Sequence, residues 1–274
     1  MNSFKNRKLD IIQYENLQKF NDLLHFTSTR AGGVSSGNYA SLNLGRFSGD
    51  TQENIQENFS LFCTEVGIES SQLHLPYQTH ENHVQVIDED FLKQNKSAQA
   101  KKLHGFDALI TNLPNQCIGI STADCVPILL YDPKNKAIGA VHAGWRGTCS
   151  QILKNVIETL TKNYKTNPTD LIVAIGPSIS VDVYKVGLEV VEAFKKENFE
   201  IEKIFQKKSD KYYLDLWTAN KITLLEAGVQ LENIEISEHC TYSEHERFFS
   251  ARRLGIKSGR ITSGIMIKAQ SEEY

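Results

Sequence analysis

Between Thr122 and Gly147 the chain reads TADCVPILLYDPKNKAIGAVHAGWRG, two apolar runs joined by a proline-containing turn. Such a β-hairpin carries two soft metal donors, Cys125 and His142. With a turn at Asp132-Pro133-Lys134-Asn135 and Pro133 and Lys134 as its central pair, facing residues have numbers that add to 267, so Cys125 stands opposite His142. Directly opposed side chains have Cβ atoms about 4.5–5.5 Å apart, and zinc bonds of about 2.0–2.3 Å span that gap. Proline suits the second turn position, whereas a longer loop through Lys136 would shift the pairing by one or two residues. Pro127 cannot donate to a ladder and belongs at a strand start, a bulge or an edge. A third donor would complete a site. His80 and His83, in the segment PYQTHENH just ahead of the strand-like Val84–Asp88, both offer one.

Strands are expected at Leu24–Thr29, His83–Asp88, Ala108–Thr111, Cys117–Thr122, Pro127–Tyr131, Ala137–His142, Leu171–Ile175 and Ile234–Ser237. Several are apolar on both faces and so must be covered on both sides. Helical periodicity marks Gln52–Val66, where Ile55, Phe59, Phe62 and Val66 recur before Gly67 supplies a stop. Thr148 is placed to cap a helix bearing Ile152, Val156, Ile157 and Leu160 on one stripe, and further helices are expected at Leu188–Lys196 and Leu216–Ala227. Irregular alternation with at least one hairpin favours an α+β fold, with mixed β-sheets packed together and helices on the outside. No linker, repeat or low-complexity tract divides residues 1–274, which reads as a single domain.

A formal net charge of −3 gives no electrostatic reason to expect nucleic acid or a membrane as partner, so the substrate is expected to be small. No stretch resembles a secretory leader or a membrane span. The five cysteines, at 63, 117, 125, 149 and 240, are odd in number and scattered, which suits a reducing cytoplasm better than a disulfide framework.

Nine short segments, taken together, resemble the multicopper polyphenol oxidase or laccase-domain family of bacterial proteins, better described as purine nucleoside phosphorylases with a zinc site. They are Thr27–Val34 (TSTRAGGV), Leu42–Leu44, Gln78–His80, Phe106–Thr111, Thr122–Cys125, His142–Gly147 (HAGWRG), Ile175–Pro177, Cys240–Thr241 and Phe249–Ser250. The resemblance implies that His80, Cys125 and His142 are the zinc ligands and that His83 is a neighbour. Two histidines and a thiolate leave the fourth tetrahedral position open, as a catalytic zinc requires. It further implies phosphorolysis of adenosine, inosine, guanosine or methylthioadenosine by inorganic phosphate, with adenosine deaminase as a second activity. A monomer or weak homodimer is expected. Arg30 is implied as a catalytic or substrate-binding residue. Its forked guanidinium suits phosphate, and Gly32-Gly33 would allow close backbone approach.

Arg146 has a separate argument, since it lies between the strand ending at His142 and the helix expected near Thr148. A helix N-terminus there would favour an anion, so phosphate is expected near Arg30 and Arg146. Asp124 and Asp107 are candidate proton carriers at the substrate, and Phe249 and Arg252 are candidate pocket walls. Ser178, where relatives often carry Cys, and Ala251, where an aromatic is common, are departures that bear on which purine fits.

Three other functions compete. A copper laccase needs many histidines, usually in His-X-His pairs, and this chain has eight histidines and no such pair. Copper could still occupy the single soft site, since the affinity order favours it over zinc. A zinc-stabilised binding protein would show a closed four-ligand metal. A Cys-His hydrolase would need Cys125 free of metal.

Overall fold

The computed structural model describes residues 9–269, and its order follows from strands whose two faces bury into different layers. Along Val126–Asp132 every residue is buried. Val126, Ile128 and Leu130 point into a core shared with helices, while Leu129 and Tyr131 point into a core shared with a second sheet. This is the two-sided apolar strand expected from the sequence, with successive side chains alternating between two cores.

That strand lies inside a six-stranded mixed sheet ordered Ile234–Ile236, Ile172–Ile175, Val126–Asp132, Ala137–Ala143, Ala108–Thr111, Val84–Val86. Helices Ile152–Tyr164, Leu188–Lys196 and Leu216–Glu226 cover its outer face through Val156, Leu160, Phe194 and Leu224, among others. Its inner face packs on a five-stranded sheet ordered Ile11–Ile12, Leu23–Ser28, Ile261–Ile267, Cys117–Thr122, Leu73–His74. Helix Gln52–Val66 closes the far side of this second sheet, with Ile55, Phe59 and Phe62 against Phe26 and Met266. The layers therefore run helix, sheet, sheet, helix, an α+β architecture with the helices outside. Among the described residues, no helix is long and apolar enough to cross a membrane.

Helix Gln52–Val66 has the expected bounds. The Thr51 hydroxyl accepts from the Asn54 amide, and Gly67 takes the left-handed conformation that ends it. Ile261–Ile267, absent from the expected strands, is the central strand of the five-stranded sheet and pairs on both sides. Its Ser263-Gly264 pair reads as a breaker in sequence. In the fold, Gly264 is needed because a Cβ there would meet the Phe26 ring at 2.6 Å.

Two expectations require correction. The hairpin register is two residues from the one expected, since Pro127 faces His142 and Val126 faces Ala143. The cause is a four-residue loop, Pro133–Lys136, closed by the buried Asp132, whose carboxylate accepts from the Lys134 and Asn135 amides at 2.9 and 3.0 Å. Lys136 completes it in a left-handed conformation. A slip of two keeps every side chain on its own face, whereas a slip of one would have reversed them. Cys125 and His142 therefore remain on one face, as diagonal rather than direct neighbours.

The second correction concerns the helix expected from Thr148. The chain turns helical at Trp145, with extended Gly144 before it, and forms one short helix, Trp145–Cys149. Thr148 is interior to that turn, its hydroxyl engaged by Asn220 at 3.1 Å. Left-handed Gln151 separates this turn from helix Ile152–Tyr164. Five residues align too few peptide dipoles for the strong anion-attracting end expected near Arg146.

Candidate metal centre and cleft

His80 Nε2 or Nδ1, Cys125 Sγ and one ring nitrogen of His142 lie within 4.8 Å of one another. Each comes from a different local structure. His142 sits near the end of strand Ala137–Ala143 and is buried. Cys125 immediately precedes strand Val126–Asp132. His80 stands in a loop with left-handed backbone, φ 65°.

A buried carboxylate sets two of the three donors. Asp107 Oδ1 accepts from His142 Nδ1 at 2.7 Å and from the His80 amide at 3.0 Å. Asp107 Oδ2 accepts from the amides of Thr79 at 3.2 Å and Glu81 at 2.9 Å. The unusual His80 backbone is thus held by three consecutive amides converging on one carboxylate. Donation from Nδ1 fixes the His142 tautomer so that Nε2 faces the other donors. Burial pushes the Asp107 carboxyl up, but His142 and the amides outweigh it and hold it below the usual carboxylate range.

The donors suit a divalent ion. Burial opposes charge on Cys125, yet positive His142 and hydrogen bonds from His142 and His80 bring its thiol below the ordinary range, toward the thiolate that binds metal. Burial likewise opposes charge on His142, and Cys125 and Asp107 raise it. Gly144 provides the necessary space: a Cβ there would meet Cys125 Sγ at 3.1 Å and His80 Cδ2 at 3.3 Å. Tetrahedral bonds of about 2.0–2.3 Å put donors roughly 3.3–3.7 Å apart, so an ion would draw the side chains in by little more than an ångström.

These donors lie in the wall of a cleft of about 770 Å³. Asp124, Arg146 and Arg252 also line it, and so do Arg46, Tyr184 and Arg260. Asp124 has left-handed backbone, φ 87°, and its carboxylate is fully engaged. It accepts from the Thr241 hydroxyl at 2.7 Å, the Ser250 hydroxyl at 3.0 Å and the Arg252 amide at 2.7 Å. It thereby ties the segment before Cys125 to the loops on the opposite wall. The Arg146 guanidinium lies 4.4 Å from the Trp145 ring. Among the described residues, no ion pair joins Arg46, Arg146, Arg252 or Arg260 to a carboxylate. The cleft wall is accordingly positive.

Arg30, Asp107 and Phe249 do not line the cleft. Asp107 is buried behind the donors. The Arg30 guanidinium donates to the Ala40 carbonyl at 2.6 Å and the His245 carbonyl at 2.7 Å, and it lies over the buried Phe249 ring at 4.7 Å. It joins the loops that carry Ala40 and His245. His83 turns to the Gly105 carbonyl at 3.1 Å and to Glu81, away from the donors. The His and Cys side chains of residues 239–245 have partners of their own: His239 pairs with Glu244, His245 with Glu246, and Cys240 Sγ accepts from the Ser180 amide.

Sequence reasoning did not single out Gly144 or Arg260. Gly144 had a signal in its place two residues after a donor histidine. Arg260, 135 positions from Cys125, had none. Its guanidinium is fixed by the carbonyls of Ile256, Ser258 and Gly259 at 3.1, 2.7 and 2.9 Å. Gly45 leaves room for it, since a Cβ there would meet Arg260 Cγ at 2.8 Å.

Residues 24–268 match the sequence model of the family described as multi-copper polyphenol oxidoreductase laccase. A purine nucleoside phosphorylase of Bacteroides thetaiotaomicron is 45% identical over 259 residues, 94% of this chain and 96% of that protein. Adenosine deaminase RL5, from an unknown prokaryotic organism, is 42% identical over 245 residues, 88% of this chain and 93% of that protein. The crystal structure of YlmD from Geobacillus stearothermophilus superposes with a TM-score of 0.87 at 28% identity, covering 97% of this chain and 98% of that one.

Proposed function

Because the chain belongs to the multi-copper polyphenol oxidoreductase laccase family, whose relatives include phosphorylases and a deaminase of purine nucleosides, we propose that it is a purine nucleoside phosphorylase. It cleaves adenosine, inosine, guanosine or methylthioadenosine with phosphate, and it deaminates adenosine as a second activity. The observation that carries this reading is the convergence of His80, Cys125 and His142 in the wall of a positive cleft, with Asp107 bracing two of them from behind. Three donors leave an open coordination position, which suits catalysis rather than a structural role.

His80, Cys125 and His142 would hold zinc, which when bound supplies a Lewis acid and an acidified water. Arg146, without a carboxylate partner, holds phosphate beside them, and Arg260 adds a second fixed positive charge to the same cleft. A phosphate oxygen bonds to the anomeric carbon as the carbon–nitrogen bond to the base breaks, and the departing base takes up the proton that the esterified phosphate releases. Asp124 acts by position, since three donors already occupy its oxygens. Arg30 supports the cleft through the loops it joins, and Phe249 serves as the face on which it rests. The enzyme works in a reducing cytoplasm as a monomer or weak homodimer, in keeping with five cysteines that are all free.

The test is chromatography of nucleosides incubated with metal-quantified protein, with and without phosphate. Free base and ribose 1-phosphate should appear only with phosphate, and inosine should form from adenosine in its absence. No phosphate-dependent cleavage, together with phenol turnover by the copper-loaded protein, would refute this function and favour the polyphenol oxidase named in the family's description.

A further inference from the structure

Six large apolar side chains are exposed among the described residues, and three of them, Phe47, Tyr77 and Ile256, line the cleft that holds the metal donors. They are 66%, 40% and 81% exposed and come from three separate segments. Single exposed apolar residues are ordinary. Three converging on one cleft mark a binding surface.

Their backbones are held firmly. Tyr77 donates its amide to the Leu103 carbonyl and accepts from the Gly105 amide, both at 2.9 Å, and its ring stacks on His104 with centroids 4.5 Å apart and planes at 6°. The Phe47 ring meets Tyr77 edge to face at 4.7 Å and 72°. Phe47 follows Gly45, whose carbonyl accepts from Ser48, in a loop also tied down by Tyr39. Across the cleft, the Ile256 carbonyl is held by Arg260 at 3.1 Å. Apolar surface and arginine guanidinium groups lining the same cleft match a ligand with a π-face at one end and an anion at the other.

We propose that Phe47, Tyr77 and Ile256 form the purine-base subsite of this cleft, with Phe47 as the principal stacking face and the phosphate directed toward Arg146. This rests on the reading of the cleft as a nucleoside site. Stacking depends on the π-face and not on the group at C6, so the subsite accepts 6-amino and 6-oxo purines alike.

The experiment compares wild type with Phe47→Ala, Ile256→Ser and Phe47→Trp by steady-state kinetics and by titration with 2-aminopurine riboside, whose fluorescence is quenched on stacking. Phe47→Ala should raise KM for adenosine and inosine about 5- to 100-fold, the span that base stacking carries, and abolish quenching. Its KM for phosphate and its zinc content should stay within twofold of wild type, and Phe47→Trp should restore both nucleoside parameters. Ile256→Ser should act in the same direction to a smaller extent. Nucleoside KM and quenching both unchanged in Phe47→Ala would overturn the assignment. So would a change of oligomeric state with unchanged kinetics, which would give the patch to a second copy of the chain. Should wild type cleave no nucleoside yet quench the riboside through Phe47, the base subsite stands while the proposed reaction falls.

Discussion

Asp107 does not line the cleft, yet its loss should cost more metal affinity than that of any residue lining the cleft other than the three donors. Its oxygens accept four hydrogen bonds of 2.7–3.2 Å, from His142 Nδ1 and from the amides of Thr79, His80 and Glu81, and a longer fifth from the Thr79 hydroxyl at 3.5 Å. In Asp107→Asn one oxygen becomes an NH₂ group. Either it faces the Thr79 and Glu81 amides, donor against donor, or it faces the His80 amide and His142 Nδ1. In the second orientation it also favours the His142 tautomer that carries hydrogen on Nε2, where the ion must bind. Two charge-assisted bonds are lost in either case, and such bonds contribute about 1.5–3 kcal/mol each. Part of that loss falls on the folded apo-protein and part on binding, where removing a residue that orients a ligand usually weakens metal affinity about 10- to 100-fold. Zinc Kd, measured by competition with a chelator of known affinity, should therefore rise by that factor in Asp107→Asn. It should rise further in Asp107→Ala, which leaves three amides without an acceptor. The apo-protein Tm should fall by about 2–4 °C for each kcal/mol lost from the fold. Zinc affinity within twofold of wild type in both variants would refute the idea that this carboxylate sets His80 and His142.

His25 is buried with Nε2 accepting from the Tyr14 amide at 2.9 Å, and burial pushes its pKa from 6.5 down to about 4. The unfolded chain takes up a proton in that interval and the folded chain does not, so this contribution is complete above pH 6.5 and is lost as pH falls toward 4, by about 3 kcal/mol. His25→Gln should flatten the dependence, and urea titrations at pH 7 and pH 4.5 with the same difference in both proteins would contradict this account. Gly144→Ala keeps an allowed extended backbone but pushes a methyl group against Cys125 Sγ and His80 Cδ2, so zinc Kd should rise at least about tenfold while the far-ultraviolet spectrum stays native. Unchanged chelator competition would mean that residue 144 does not shape the site.

Local chemistry was legible in the sequence. Ile55, Phe59, Phe62 and Val66 repeat at helical spacing between Thr51 and Gly67, and the helix keeps those bounds. The two apolar runs after Cys125 became adjacent antiparallel strands, each short, bounded by turn residues and covered on both faces. Cys125 and His142 sit at one end of that pair, and even the register error left them together, since side-chain direction repeats every two residues and the slip was by two.

What sequence spacing could not reveal was every relation set by the packing of distant segments. Asp107 was a candidate proton carrier until the strand it precedes, Ala108–Thr111, came to lie beside strand Ala137–Ala143, with the loop of His80 folded over its end. Arg30 looked like a clamp for phosphate, but its partners turned out to be the Ala40 and His245 carbonyls. Arg260 gained a place in the cleft because strand Ile261–Ile267 inserts between Leu23–Ser28 and Cys117–Thr122. A residue's type and its near neighbours determine which bonds it can make. Which partner it meets is decided by how whole layers stack, and that depends on apolar surface buried between segments far apart in the chain.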